Sequence, residues 1–191
     1  MFRKIIFIFF GLTTLAASAA NQNDMAKLNR LTNKPGITTL DLSNADLRSY
    51  QFSSGKINLQ NANLSHSDLS KVNLEKVNLS NADLSYANLE HANLTGANLS
   101  YANLEHADLS HAILNHADLS NAKLSFSALT GASLQQANLN STNFSCANFN
   151  DANLTQADFT KATISSATFI NTITTDILHY DSVIDEKIGC S

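Results

Sequence analysis

The sequence of 191 residues lacks the short motifs by which many enzymes are found. It contains no glycine-rich phosphate loop, no spaced Cys/His set of the kind that binds zinc, and no Ser-His-Asp pattern. These absences argue against an enzyme, and we expect no cofactor and no metal. Only 15% of the residues are charged, and Asn, Ser and Thr are abundant, a composition that indicates disorder unless apolar residues recur regularly.

Long apolar runs are also missing, except at the N-terminus. Two basic residues precede an apolar core from Ile5 to Leu15, and Ala17-Ser18-Ala19 is typical of a cleavage site. We expect residues 1–19 to be a signal peptide and the mature chain to begin at Ala20. The alternative is a membrane anchor, which needs a longer apolar run. The sequence therefore predicts export to the periplasm or secretion, with no stable membrane insertion after cleavage.

A five-residue repeat organises the chain between Ile57 and Asn171. Its 23 centres, every fifth residue from Leu59 to Phe169, comprise 18 Leu, four Phe and Ile164. Ala lies two residues before the centre in 17 phrases, and Asn or Asp lies between the two, also in 17 phrases. Ser or Thr most often follows, so the phrase reads A-(N/D)-L-(S/T)-x.

A period of five residues is incompatible with an amphipathic helix. Each five-residue step advances an α-helix by roughly 140°, so the leucines would be spread around its axis. In extended backbone, the Ala and the Leu point inward while the Asn or Asp between them points outward and bonds backbone at the turn. The next two residues turn the chain. Turning the same way every five residues closes it into stacked coils, an all-β solenoid filled by leucine.

The uninterrupted phrase resembles that of the pentapeptide-repeat family over roughly residues 40–171. The resemblance implies a right-handed quadrilateral β-helix with four phrases per coil, about 28 Å long here at about 4.8 Å per coil. We expect this β-helix to cover residues 37–171. Some family members pair end to end through their C-terminal coils, so a homodimer is a further expectation from the resemblance.

Short helical caps are expected at one or both ends, because an open solenoid end exposes apolar residues and unpaired backbone. The N-terminal candidate is the segment 20–36, which contains a helical pattern before Pro35-Gly36. The C-terminal candidate is the cap or tail 172–191, with a helix predicted from Asp176 to Lys187.

Two irregularities interrupt the phrase. Leu42, Leu47 and Phe52 repeat in a different phase, and a two-residue slip with a loop at Ser54-Gly55 is predicted before Leu59. Between residues 113 and 133, four outward positions lack Asn or Asp, and each is expected to lose one turn bond worth about 1 kcal/mol. These four residues are Ile113, Lys123, Ala128 and Ser133.

Aromatic and histidine side chains recur at the variable corner of the phrase. On a four-phrase coil, residues 20 apart stack, which places His66, Tyr86, His106 and Phe126 in one column, with Tyr101 beside it. Exposed aromatic residues in a row are typical of protein interfaces. We interpret these five residues as a candidate contact strip.

The same spacing stacks His91 under His111. One interpretation is a metal or anion site completed by Glu90 or Glu105; the alternative is a solvated surface ridge. A pair of neutral histidines lacks the ligand number of a metal centre, so His91 and His111 are only a weak metal candidate.

The two cysteines, Cys146 and Cys190, belong to a protein predicted to enter an oxidising compartment. A disulfide between them would tie the C-terminal tail to the coil. The alternative is two unpaired thiols, because the sequence does not give the Cα–Cα distance.

The first functional hypothesis is a non-enzymatic binding or scaffold protein that uses its rigid outer faces to contact an unknown protein partner.

The resemblance adds a second hypothesis, because some family members mimic DNA and bind topoisomerase. Duplex DNA of 28 Å would carry about 16 charges. Residues 57–171 have nine acids and four lysines, a net charge of −5, so this hypothesis is disfavoured and no nucleic-acid partner is expected. A third hypothesis is a secreted effector acting on a host or neighbouring cell.

Overall fold

A computed structural model of the chain describes residues 40–48, 50, 52, 58–179 and 190. The predicted signal peptide, residues 1–19, and the predicted N-terminal cap, residues 20–36, lie outside these ranges. The described residues form neither helices nor continuous strands, and their backbone pairing consists of isolated parallel bridges. In this part of the chain no helix has the length and apolar character needed to cross a bilayer.

The bridges show that four phrases make one coil. Each outward residue pairs with the residue 20 positions later, as Asn98 does with Asp118. The protein is thus a right-handed quadrilateral β-helix, which confirms the predicted fold class.

We number its sides by their outward residues. The first side carries Asn58, Asn78, Asn98, Asp118, Asn138, Asp158 and Leu178. The second carries Asp41, Asn63, Asp83, Asn103, Lys123, Asn143 and Thr163. The third carries Asp46, Asp68, Asn88, Asp108, Ala128, Asn148 and Thr168. The fourth carries Asn73, Asn93, Ile113, Ser133, Asn153 and Ile173.

Every corner is a four-residue turn whose third residue has a positive φ. In the turn from Leu84 to Ala87, the Ala87 N–H donates to the Leu84 carbonyl at 3.0 Å, and Tyr86 has a φ of 58°. A left-handed backbone costs a non-glycine residue about 1–3 kcal/mol. The Tyr86 N–H donates to the carbonyl of Glu105 on the next coil at 3.0 Å, so inter-coil bonding offsets this cost. The corner side chain is left pointing outward.

The interior is a continuous column of apolar side chains. All the predicted centres from Leu59 to Ile164 are buried, and Phe169, at the end of the run, is half-buried. The Leu79 N–H donates to the Asn98 carbonyl at 2.7 Å, which sets Leu79 directly against the coil that holds Leu99. Burying one leucine contributes roughly 1.5–3 kcal/mol, so the centres are the main source of stability.

Hydroxyl residues replace the inward Ala at three buried positions without leaving a polar group unpaired. The Ser67 hydroxyl donates to the Leu64 carbonyl and the Ser127 hydroxyl to the Leu124 carbonyl, each at 2.7 Å. Thr142 donates to the Leu119 carbonyl of the preceding coil, also at 2.7 Å. Backbone carbonyls at the turns therefore accept these buried hydroxyls.

The outward Asn and Asp side chains accept backbone N–H groups at the following turn. Asn98 Oδ1, for example, accepts the N–H and the hydroxyl of Ser100 at 3.0 and 2.7 Å. The prediction that Ser133 loses the hydrogen bond at the following turn is wrong, because the preceding coil supplies another acceptor for it. Asn115 Oδ1 accepts the Gln135 N–H at 3.0 Å and the Ser133 hydroxyl at 2.7 Å.

The first described coil is offset from the others. Asp41 pairs with Asn63 and Asp46 with Asp68, a separation of 22 residues in place of 20. Two additional residues therefore lie between the first coil and the second, as the change of phase predicts. The loop predicted at Ser54-Gly55 falls outside the described residues.

The β-helix continues past the predicted boundary at residue 171. Ile173 pairs with Asn153, and Leu178 pairs with Asp158. The helix predicted from Asp176 to Lys187 is wrong for its first four residues, which form a turn, a bridge and a bend. Asp176 turns the chain with a φ of 52°, and the Leu178 N–H donates to the Ala157 carbonyl at 2.9 Å. Pairing with the preceding coil outweighs the local helical pattern. The remainder of the predicted helix, residues 180–187, lies outside the described residues.

Candidate functional site: the ring strip and its surroundings

Four rings stack along the corner between the second and third sides. We call His66, Tyr86, His106 and Phe126 the ring strip. Their centroids are 4.9, 4.7 and 4.9 Å apart in chain order, and successive ring planes differ by 5–6°. The spacing equals that of the coils, because each ring occupies the same corner one coil further on. These four residues are 20 positions apart in the sequence, and 20 residues make one coil.

Stacking leaves the ring edges for solvent and for partners. The faces of Tyr86 and His106 lie against neighbouring rings on both sides, whereas Tyr86 is 53% exposed and Phe126 44%. A flat ligand, such as a base or sugar ring, that stacks on an aromatic face therefore finds no free face on the inner rings. The strip presents C–H edges together with the Tyr86 hydroxyl and imidazole nitrogens, a mixed surface suited to another protein.

Tyr101 lies on a different corner from the ring strip. It occupies the corner between the first and second sides, in the column of Asn81 and Asn121, and is 61% exposed. A whole side of the coil separates this corner from His106. The structure therefore brings together four of the five residues of the predicted contact strip and leaves Tyr101 apart.

A disulfide lies in the same column as the ring strip. Cys146 occupies the corner one coil beyond Phe126 and is bonded to Cys190, with a Cα–Cα distance of 5.8 Å. The Cys190 sulfur also lies 3.9 Å from the Ser166 carbonyl oxygen, at the next corner of the same column. The end of the chain is thereby fixed to the corner that carries the rings.

Acidic side chains flank the ring strip on both sides. Asp83 lies on the second side, Asp68 and Asp108 lie on the third side, and Glu105 immediately precedes His106. The basic residues nearby are Lys123 on the second side and Arg48, which pairs with Asp68. The surroundings of the strip are therefore predominantly negative over the range of one Debye length, about 8–10 Å.

The histidine pair at the next corner stacks in a geometry that does not chelate a metal. The His91 and His111 centroids are 5.0 Å apart with an interplanar angle of 14°. Nitrogens bound to one zinc ion at about 2.1 Å each are at most about 4.2 Å apart, so face-to-face rings at this spacing do not share an ion. His91 Nε2 lies 3.6 Å from Glu90 Oε1. Within the described residues, no group of three or more His, Cys, Asp or Glu side chains is arranged for a metal.

Gly131, which was not among the predicted site residues, makes room for His111. A Cβ on Gly131 would lie 2.5 Å from His111 Nδ1, so the imidazole occupies the space of a missing side chain. The signal in the sequence was a glycine at a corner position 20 residues after a histidine.

An ion cluster joins the first and second described coils along the third side. Arg48 pairs with Asp46 at 2.7 Å and with Asp68 at 3.3 Å. The hydrogen bond from the Arg48 side chain lowers the pKa of Asp46 to about 2. These side chains are largely exposed, so the cluster contributes little to stability.

At the other end, Asp158 contacts His179 at 3.1 Å. Burial raises the pKa of Asp158, but hydrogen bonds from Thr160 and His179 outweigh burial and lower it overall. This contact was not predicted, because the local sequence pattern places His179 in a helical tail.

The sequence comparison identifies the family. The family model described as pentapeptide repeats matches the chain in eight copies, over residues 57–96, 87–125, 97–136, 122–160 and 137–173. These matches together span more than half of the sequence, and the chain belongs to the pentapeptide-repeat family. A search among curated proteins found no match.

Several solved structures are similar to this chain. HetL, a pentapeptide repeat protein involved in heterocyst differentiation regulation in the cyanobacterium Nostoc, is 30% identical over 74% of this chain and 67% of its own, with a TM-score of 0.43. A pentapeptide repeat protein from the Arabidopsis thaliana thylakoid lumen is 36% identical over 54% of this chain and 68% of its own, with a TM-score of 0.45. QnrB1, a plasmid-mediated fluoroquinolone resistance protein, is 19% identical over 75% of this chain and 82% of its own, with a TM-score of 0.35.

Proposed function

We propose that this protein is an exported, non-enzymatic binding module that contacts a protein partner through the ring strip. The single observation that carries the proposal is the continuous stack of His66, Tyr86, His106 and Phe126 on one exposed corner. Aromatic side chains in the centre of an interface supply a large share of binding energy.

The stack also prepares these side chains for binding. Each aromatic pair contributes roughly 0.5–1.5 kcal/mol beyond burial, which holds the rings in one orientation before a partner arrives. Immobilising a mobile side chain on binding costs about 0.5–1.5 kcal/mol, and rings that are already ordered lose less. The rigid β-helix beneath them adds no loop that must be ordered.

The acids beside the strip favour a partner with basic side chains around an apolar centre. Asp83, Glu105 and Asp108 surround the middle of the strip, and Lys123 is the one basic outward residue on the second side in the described coils. Opposite charges at the rim of an interface mainly accelerate association and select the partner. We therefore expect binding to weaken as salt concentration rises.

Export is supported by the pattern of residues 1–19 and is consistent with two cysteines that pair. N-terminal sequencing of the protein purified from the periplasm or medium is expected to give Ala20 as the first residue. Recovery of a chain that still starts at Met1 in the cytosol would contradict export.

The contact is tested by affinity capture from an envelope extract, comparing the wild type with Tyr86→Ala/Phe126→Ala. Tyr101→Ala is the matched control, because Tyr101 has the same corner position on another column. We expect a partner that both the wild type and the control retain and the double variant loses. For the purified partner, calorimetry should show at least a roughly 30-fold weaker Kd for the double variant, as for a hot spot. Equal capture by all three proteins would reject the ring strip as the contact.

A further inference from the structure

Four of the six histidines lie along the two corners that border the third side. His66 and His106 belong to the ring strip, at the corner between the second and third sides. His91 and His111 form the stacked pair at the corner between the third and fourth sides. One extended side separates the two columns, about 10 Å for three residues. Histidine is the side chain whose charge ordinarily changes between pH 5 and 8, so the third side concentrates that change.

Carboxylates surround these histidines. Those on the coils that carry the imidazoles are Asp68, Asp83, Glu90, Glu105 and Asp108. The coil before them adds Asp41 on the second side and Asp46 on the third. Beyond Gly131, in the corner column of His111, Asp151 accepts a hydrogen bond from Asn171 at 3.1 Å.

Basic side chains near the histidines are fewer. Those within one coil of an imidazole are Arg48, Lys71 and Lys123. Arg48 already pairs with Asp46 and Asp68. The fourth side places no charged outward residue beside the stacked pair in the described coils. Acids therefore outnumber bases around the four histidines while the imidazoles are neutral, and four protons cancel most of this excess.

Two of the histidines are part of the proposed contact itself. His106 is stacked between Tyr86 and Phe126, with centroids 4.7 and 4.9 Å away, so both of its faces are covered and a partner meets its edge. A proton on His106 places a positive charge in the middle of the strip, among the acids that attract basic side chains. Across the third side, protons on His91 and His111 bring two like charges face to face at 5.0 Å.

We propose, on the basis of the function proposed above for the ring strip, that the third side with its two corners is a pH-sensitive surface that loses its affinity for basic partners in acid. While the imidazoles are neutral, the carboxylates attract a basic partner. Once the imidazoles are protonated, they neutralise the carboxylates and repel the partner. Each exposed charge pair changes affinity roughly 1.4- to 5-fold, so four added charges should weaken binding about tenfold or more.

Fluorescent decalysine is the probe for this surface, because its lysines stay charged over the relevant range and changes in binding then come from the protein. Fluorescence anisotropy gives its Kd for the disulfide-bonded mature chain at about pH 7.5 and about pH 5.5, on either side of the usual histidine titration. In 0.1 M salt, charges more than about 10 Å away are largely screened. The wild type is expected to bind about tenfold or more weakly at the lower pH. Equal Kd values at the two pH values would overturn the proposal.

Replacing the four histidines by asparagine tests which groups carry the effect. Asparagine suits these positions, because Asn61, Asn81 and Asn121 occupy left-handed corners with φ of 58–59°. The Kd of the variant should differ less than about threefold between the two pH values, since exposed charges elsewhere contribute little. The variant is His66→Asn/His91→Asn/His106→Asn/His111→Asn. If it is folded by circular dichroism and keeps the full pH effect, the proposal is wrong.

A pair of single variants gives the same test with less risk to folding. His106→Asn should reduce the pH effect about twofold, because it removes one of the four charges. His116→Asn is the matched control, since His116 has a φ of 59° at the corner between the fourth and first sides. It should keep the full pH effect. Equal pH effects in the two single variants would count against the third side.

The partner recovered in the capture experiment separates this inference from the proposed contact. If that partner binds the purified wild type equally at the two pH values, release in acid is rejected and the contact stands. If decalysine shows the pH effect but the wild type, Tyr86→Ala/Phe126→Ala and Tyr101→Ala capture equally, the contact is rejected and the pH response of the surface is supported.

Discussion

The interior columns and the corner columns of this β-helix obey different constraints. Along one interior column, leucine repeats at five successive coils from Leu59 to Leu139, Phe159 follows, and all six side chains are buried. Along the adjoining corner of the ring strip, the side chain changes from histidine to tyrosine, phenylalanine and cysteine. The interior limits the volume of the side chain, because stacked coils leave no free space. The corner constrains the backbone to a positive φ and leaves the choice of side chain open for binding.

The largest effect is expected from removing an interior ring. Phe149 contacts Phe144, Phe159 and Phe169 at centroid distances of 4.9–6.4 Å and is fully buried. Phe149→Ala should lower the free energy of unfolding by about 3–5 kcal/mol through lost burial and a cavity. Tyr101→Ala at an exposed corner should change it by less than about 0.5 kcal/mol. Urea denaturation of both variants measures the contrast, and similar losses would show that corners also contribute to packing.

The disulfide is the one point at which a corner is expected to matter as much as the interior. It closes a loop with a sequence separation of 44. By loop-closure entropy, Cys146→Ser/Cys190→Ser should destabilise the protein by about 3–4 kcal/mol. Denaturation with and without a reductant measures this: reductant should lower the midpoint of the wild type and leave the double variant unchanged. An insensitive wild type would mean that the tail is held by other contacts.

A smaller effect is expected from acid. The pKa of Asp158 is lowered in the folded protein, so its stabilising contribution is present above its ordinary value of 3.8 and is lost as the pH falls through the lower folded value. Asp158→Asn keeps an oxygen for the Thr160 N–H and removes this titration. Between pH 5 and pH 2, Tm should fall less steeply for the variant, by an amount equivalent to less than about 1 kcal/mol. Parallel profiles would show that Asp158 does not contribute to acid sensitivity.

Most of the fold could be predicted from the sequence because one rule recurs in every phrase. The five-residue period gives the direction of each side chain, and the four phrases per coil implied by the family resemblance give its neighbours on adjacent coils, 20 residues away. Even the offset of the first coil is visible as a change of phase before Leu59. The column of His66, Tyr86, His106 and Phe126 follows from the same spacing, although its binding role stays a prediction.

The failures occur where a neighbouring coil outweighs the local sequence. The residues after Asp176 read as a helix, yet pairing with Asp158 and Ala157 keeps them in the β-helix. Ser133 has no side-chain amide oxygen to accept the Gln135 N–H at the next turn, yet Asn115 Oδ1 of the preceding coil accepts it. In both cases the decisive partner lies about 20 residues away, beyond the reach of a local pattern.

The sequence by itself determined a solenoid of stacked coils with a leucine interior, because a five-residue period in extended backbone turns the Ala and the Leu of each phrase inward; the four phrases per coil came from the resemblance to the family. The tertiary structure alone decided how side chains on different coils meet. It brings the Cα atoms of Cys146 and Cys190 to 5.8 Å and places His111 over Gly131. These outcomes depend on distances across coils and on rotamers, which the repeating phrase does not encode.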